Sequence, residues 1–372
     1  MSDHKTRIPS LQGVRAAAFL GIFLNHSLSG AANLGAGGVS VFLVLSGFLM
    51  TYSYWDRPVG VGRTTVPECV CFAWRKIRPL YVLHLLTLAA MLGLDLILGM
   101  LAGQKLSELV CRVGLNVFLL QAWVPSSSYY FSLNAVAWYL STAFYSYFIF
   151  LPLIRRLKEQ RTARTILLWI GLSLAAISTV SALAYWFGNP VDSAWFSRHW
   201  MTYVLPPSRA LDFCLGALAG VLFVRHSLHR EARTAGPAER RRSLLCGTAM
   251  ELAALSLFAV ANLAFYRVSN AIRYTLLFAI PSLCLVPTLA VGRGAVSRLL
   301  SLGPVRRIGD LSGYAFLIHL PAIRVSTLVL QKTVPSASEF LRIVLPLAVT
   351  LGASALFQQL DRICRQRMRK GA

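Results

Sequence analysis

Acid is what this chain has least of: Asp and Glu together number 14 against 37 Lys and Arg, and charged residues fill only 14% of its 372 positions. So little charge in a chain that is 56% hydrophobic excludes a soluble globular domain and points to a polytopic membrane protein whose partner is the lipid bilayer. Cysteine is sparse too. The seven are scattered without a CxxC pair, and no histidine stands at metal-ligand spacing, so neither a disulfide framework nor a metal centre is expected. Internal repeats and low-complexity segments are missing. No small-residue cleavage site closes the first apolar run, which is therefore expected to stay as a span instead of being removed as a signal. The net charge of +23 would suggest nucleic acid in a soluble protein. Here the basic residues sit between apolar runs, as the positive-inside rule requires, and no nucleic-acid partner is expected.

Apolar runs of spanning length lie near residues 14–30, 38–55, 79–101, 133–154, 165–187, 206–224, 244–265, 271–291, 311–330 and 340–360. A further run at 113–123 is too short to cross about 30 Å of hydrocarbon at about 1.5 Å per residue. Charge decides its role. If it spanned, the basic stretch 155–164 and every later one would change sides. If it is re-entrant or interfacial, the basic stretches 57–78, 155–164, 225–242, 293–307 and 362–370 share one face. The expected fold is therefore an all-α polytopic bundle of ten spans, both termini cytoplasmic, forming a single integral membrane unit over 1–372. The longest cytoplasmic connection, at 225–243, reads as a solvated basic linker beside anionic headgroups. Thirty-one arginines against six lysines suggest a GC-rich bacterial genome, hence a bacterial plasma membrane.

The first run, residues 8–30, carries Arg15 near its start and His26 near its end. Eleven residues are almost three helical turns, so the two side chains share one stripe, roughly 16 Å apart along the axis. Titratable groups at membrane depth face a bundle interior or a wet cavity, which makes this pair a candidate site. Ala17 and Gly21 form a small-residue seam on another face, and Ser46 and Gly47 offer a close approach on the second span. Two outer connections, 125–134 and 188–207, are rich in Tyr and Trp; such rings serve as interfacial anchors or as a platform for a sugar.

SLQGVRAAAFLGIFLNH followed by GGVSVFLVLSGFLMTY resembles the start of the acyltransferase-3 family of integral membrane acyltransferases, which O-acylate surface polysaccharides or antibiotics. Arg15 and His26 match its Arg-x10-His pair. Arg75, Arg78, Pro79 and Tyr81 resemble its RxxR-x-P-x-Y element, and LNVFLLQAW resembles a short apolar segment before its central motif. PPSRALDFCLGALAG, with Arg209, Phe213, Gly216 and Gly220, is similar to its late Arg-bearing span. LSGYAFLIHLP, with Tyr314, His319 and Pro321, is similar to its Y-x-x-x-x-H-x-P signature. One departure stands out: many relatives read W-S-L-S-x-E at the central span, whereas here Trp138 and Ser141 are kept and Ala143 stands where the Glu would be. A fused hydrolase-like domain found in some members is not expected either, since only a short basic tail follows the last run.

The resemblance implies transfer of a short acyl group, acetyl first, from acyl-CoA to a hydroxyl of a cell-surface carbohydrate or its lipid-linked precursor, with acyl-CoA a co-substrate and no bound cofactor. Ester formation from a thioester needs a base, an oxyanion site and a grip on the donor. His26 suits the base because imidazole titrates near neutrality. Arg75, Lys76 and Arg78 are candidates for the polyanionic end of CoA, or simply mark topology. Ser46, Trp138, Ser141, Arg209, Tyr314 and His319 are candidates for the acceptor or oxyanion site, each with an alternative role in packing or anchoring. A covalent acyl-enzyme through Ser46 or Ser141 stays open beside direct transfer. Three other readings stand: an antibiotic or other small-molecule acceptor, a transporter or flippase using its intramembrane charges, and an inactive subunit that has lost the Glu.

Overall fold

A computed structural model of the chain describes residues 7–58, 64–160, 162–228 and 237–370. Among them the fold is all-α, with no named strand. The helices run in order α1 (Pro9–Ser27), α2 (Ala32–Tyr54), α3 (Val66–Ile97), α4 (Leu106–Val117), α5 (Ser127–Tyr130), α6 (Trp138–Glu159), α7 (Ala163–Phe187), α8 (Pro206–Leu228), α9 (Pro237–Ala264), α10 (Leu276–Val291), α11 (Ala295–Leu300), α12 (Gly303–Thr333) and α13 (Glu339–Lys370). Eight are long and apolar enough to cross a membrane: α2, α3, α6, α7, α8, α9, α12 and α13. The two remaining expected spans are shorter, α1 with 19 residues and α10 with 16, the latter interrupted by Pro281 and Pro287. Residues 113–123 end the 12-residue α4 and enter a tight turn with Leu119 at φ 57°, well short of a crossing. Most of the 225–243 linker, residues 229–236, lies outside the described residues.

Polar bonds tie the basic helix ends to one another. Lys158 donates to the Arg57 carbonyl at 2.6 Å, Arg155 to Thr64 Oγ1 at 2.7 Å, and Arg225 to the Gln160 carbonyl. This end of the bundle is the basic face; the opposite end, where Tyr266 and Asn270 bridge connections, is the aromatic face. Part of the basic stretch 57–78 departs from the expected loop. Thr65 and Glu68 close a capping box that starts α3 at Val66, so Arg75, Lys76 and Arg78 sit on a helix. Charge hid that start: a 32-residue helix is about 48 Å long, so its first turns reach past the hydrocarbon and can be basic.

Burial sorts the bundle into a centre and a rim. The apolar stretch of α2 is 78% buried, while those of α7, α9 and α13 are 17% buried and turn their leucines outward. Glycine sets the tightest crossing. A Cβ on Gly47 would lie 1.9 Å from the Phe213 carbonyl oxygen, and one on Gly216 would lie 1.8 Å from that of Val44. Backbone of α2 therefore rests on backbone of α8, and any side chain there would force them apart. The expected seam on α1 is only half realised: a Cβ on Gly21 would lie 3.1 Å from the Leu34 carbonyl oxygen, but Ala17 is exposed. The close contact between α1 and α2 runs instead through Gly38, where a Cβ would lie 2.7 Å from the Ala18 carbonyl oxygen.

Candidate functional site

Helix α1 carries its two polar residues to opposite sides of an aromatic layer. Arg15 donates from Nε to Ser312 Oγ at 3.2 Å and lines a central cavity of about 270 Å³. The walls are mostly apolar, from α2, α3, α6 and α12, with Ser46 sharing a 3.2 Å hydrogen bond with the Tyr147 hydroxyl. Arg15 and Lys76 are its charged lining residues, and no carboxylate joins them; Ala143, where relatives carry Glu, is part of the wall. Two mouths lead from the cavity to the basic face. One, lined by Arg7, Gln12, Asp310 and Arg362, shares Arg15, Leu49 and Ser53 with it. The other, lined by Arg57, Arg75 and Phe72, shares Tyr54 and Lys76. Lys76 Nζ sits 4.4 Å from the centre of the Tyr54 ring, so a cation held by rings guards this mouth. Arg78 is exposed and lines neither mouth.

The inward end of the cavity is closed by Phe42, Tyr139 and Phe316, with ring centres 5.1 to 6.4 Å apart. Beyond this layer lies the imidazole of His319, 5.9 Å from the Phe316 ring and 5.2 Å from His26. His319 is fully buried among Phe19, Phe23 and Phe316. Its Nδ1 donates to the Ala315 carbonyl at 3.3 Å, which leaves Nε2 as an acceptor; that atom is buried and has no hydrogen-bond partner among the described residues. A buried acceptor left open costs free energy, and such sites are kept where something else fills them.

His26 faces a second pocket, of about 300 Å³, at the aromatic face. Asn25, Phe131, Trp138, His199, Tyr203 and Tyr274 line it together with small residues. Several local bonds hold this rim. Asn134 donates to both Thr87 Oγ1 and the Leu317 carbonyl at 3.0 Å, fixing the turn that delivers Trp138 at the start of α6. Residues Trp200–Val204 form a π-helical turn, and Thr142 donates to the Val204 carbonyl at 3.2 Å. Single π turns recur where a side chain has to be re-aimed, and this one directs Tyr203 into the pocket.

His199, Tyr203 and Tyr274 went unread in the sequence. The aromatics of the outer connections were read only collectively, as interfacial anchors or a sugar platform, and the one available signal was a histidine, in SRHW, within an aromatic stretch. The Tyr130 hydroxyl lies 3.3 Å from His199 Nδ1. Burial pushes the His199 imidazole down to about 4, against a smaller opposing pull from Asp192, and pushes the Tyr130 phenol up to about 12. Both are neutral at ordinary pH.

The remaining sequence candidates separate. Ser46 lines the central cavity and Trp138 the outer pocket. Ser141 is buried with its hydroxyl unpartnered and lines neither. Arg209 lines neither as well. It is buried in an ion pair with Asp212 at 2.7 Å, donates to Ser40 Oγ at 2.8 Å and to the Tyr274 carbonyl, and stacks 5.8 Å from the Tyr203 ring. Its observed work is to fasten α8 to α2, to the Tyr203 ring and to the backbone of Tyr274. Tyr314 points to the rim of the bundle, donating to Asp361 at 3.1 Å.

A family model described as an acyltransferase domain, acyltransferase-3, matches residues 8–358. The chain belongs to that acyltransferase family. It is also similar to the acyltransferase MdmB of Streptomyces mycarofaciens, 29% identical over 248 residues, which are 60% of this chain and 59% of the relative. The match thus spans about three fifths of that relative's length. No solved structure matches the chain. Its set of apolar helices marks a multi-pass membrane protein of that family.

Proposed function

We propose that the protein moves a short acyl group, acetyl first, from acyl-CoA to a hydroxyl of a cell-surface carbohydrate or its lipid-linked precursor, across a bacterial plasma membrane. The basic face is then cytoplasmic and both termini lie on that side, which the clustering of basic helix ends supports. The observation that carries the reading is the imidazole pair. His26 and His319 stand 5.2 Å apart between a pocket open to one face and a cavity open to the other.

Acyl-CoA brings a polyanionic nucleotide and a thin pantetheine arm. Arg75 and Lys76 pair with its phosphates at their mouth, and the arm enters the apolar cavity past Arg15. The thioester then meets the layer of Phe42, Tyr139 and Phe316. From the other side a sugar hydroxyl enters among Trp138, Tyr203 and Tyr274, rings suited to the apolar face of a pyranose. His26 takes the hydroxyl proton as the oxygen attacks the thioester carbonyl. The tetrahedral intermediate collapses by breaking the C–S bond, and the leaving thiolate takes the proton from the imidazolium. His319, its Nδ1 committed to Ala315, accepts an N–H from His26 through one water and so orients the base. Trp138 brings an indole N–H to the same pocket and is the donor proposed for the oxyanion. The lost carboxylate at Ala143 would have faced the donor cavity and not the imidazoles, so this route does without it.

The test is CoA release from acetyl-CoA by detergent-purified protein, with a crude envelope glycan extract as acceptor, for wild type and His26→Ala. Release that needs both the extract and His26 is expected. Release without the extract, or undiminished in the variant, overturns the reading; release sustained only by hydroxylated small molecules moves the acceptor to that class.

A further inference from the structure

We infer that the acceptor is an oligosaccharide or longer glycan whose next sugar residue occupies a polar pocket beside that of His26; this rests on the acyl-transfer reading above. A cavity of about 330 Å³ opens at the aromatic face between the end of α3, α4, α5 and α12. Asp95, Gln104, Arg112, Ser128 and Arg324 line it, and Phe131 is in its wall as well as in that of the His26 pocket. The Phe131 ring is 38% exposed and is backed by Tyr130 at 4.6 Å and His199 at 5.7 Å. An exposed, braced ring at the neck of two polar-rimmed pockets is a stacking surface for a sugar ring passing from one to the other.

The chemistry of the pocket selects the ligand class. Arg324 and Asp95 are paired at 2.6 Å, and Arg112 donates to Gln104 at 3.0 Å while lying 3.6 Å from Glu108. Each cation is offset by a carboxylate, so a phosphate or other anion gains little net attraction here. An apolar acceptor would strand these donors and acceptors without water. A neutral ligand with adjacent hydroxyls fits both constraints, because planar guanidinium, carboxylate and amide groups bond such hydroxyls in pairs. On α12, Arg324 lies five residues beyond His319, about 7.5 Å farther toward the aromatic face. The second pocket therefore continues outward from the reacting one.

The experiment is initial-rate acyl transfer to oligosaccharides released from the envelope glycan by partial hydrolysis and fractionated by length. Wild type, Arg324→Gln and Ser128→Trp are compared; the last fills the pocket from an exposed position and spares the Asp95 ion pair. Fractions of two or more sugars are expected to be used about tenfold more efficiently than single sugars, with both variants removing that advantage through KM while single sugars stay within about twofold of wild type. Equal use of short and long fractions by wild type, or an unaltered length preference in Ser128→Trp, overturns the inference alone. Transfer to no fraction of any length overturns the carbohydrate reading together with it.

Discussion

The two chambers on either side of the aromatic layer are similar in size and opposite in chemistry. The inner one mixes aliphatic side chains and rings with two cations, Arg15 and Lys76, and drains to the basic face. The outer one is walled by rings and imidazoles, Trp138, Tyr203, Tyr274, His199 and His26, and carries no fixed charge. A single site serving one substrate has no need of such a contrast. On the acyl-transfer reading proposed above, two chambers that meet end to end would let each reactant be recognised by its own chemistry, the anionic donor by cations and the polyhydroxyl acceptor by rings, with bond exchange confined to the junction.

The contrast breaks most completely at the junction. His26→Ala is expected to lower kcat by roughly a hundredfold to ten-thousandfold while leaving acyl-CoA affinity, measured by equilibrium dialysis, at the wild-type value. A parallel loss of donor affinity would merge the chambers into one site. Next in size, Lys76→Ala is expected to raise KM for acyl-CoA by roughly tenfold or more, with a marked dependence on ionic strength and no change in KM for the acceptor. Equal shifts in both KM values would remove the division of labour. Phe316→Ala, which opens the layer, is expected to admit water to the thioester, so that CoA released per ester formed climbs above one; a ratio held at one assigns the layer no part in keeping water out.

The smallest effect concerns the outer wall alone. His199 is held at about 4 in the folded protein against an ordinary value of 6.5, so between those values the unfolded chain binds a proton that the folded one excludes. Stability is expected to fall as pH drops from about 6.5 to about 4, and His199→Gln should flatten the decline in a thermal-unfolding series in detergent. An identical slope in the variant would reassign that pH dependence to other groups.

Much of the bundle could be read from apolar runs, because bilayer thickness fixes helix length and the basic ends fix which helices are neighbours in direction. Arg15 and His26 were legible for the same reason, since a helix converts their spacing into a shared stripe. The pairing of His26 with His319 was not. It depends on how α1 packs against α12, and no local pattern encodes the rotation of one helix about another. Arg209 shows the reverse case: an intramembrane arginine draws attention as a reactive group, yet Asp212, Ser40 and Tyr274 engage its two terminal nitrogens. Lys76 was read together with Arg75 and Arg78 as a donor contact or a mark of topology, and the spacing alone did not separate Lys76, which lines the cavity, from Arg78, which does not.

The crossing of Gly47 with Gly216 has a consequence for the aromatic layer. With backbone against backbone, α2 and α8 behave as one stiff post, and Phe42 is mounted on it. Tyr139 and Phe316 belong to other helices, so the aperture between the chambers has one fixed jamb and two hinged leaves. Its width is set by where those two rings stand against Phe42. On the acyl-transfer reading proposed above, that spacing fixes which acyl groups can pass.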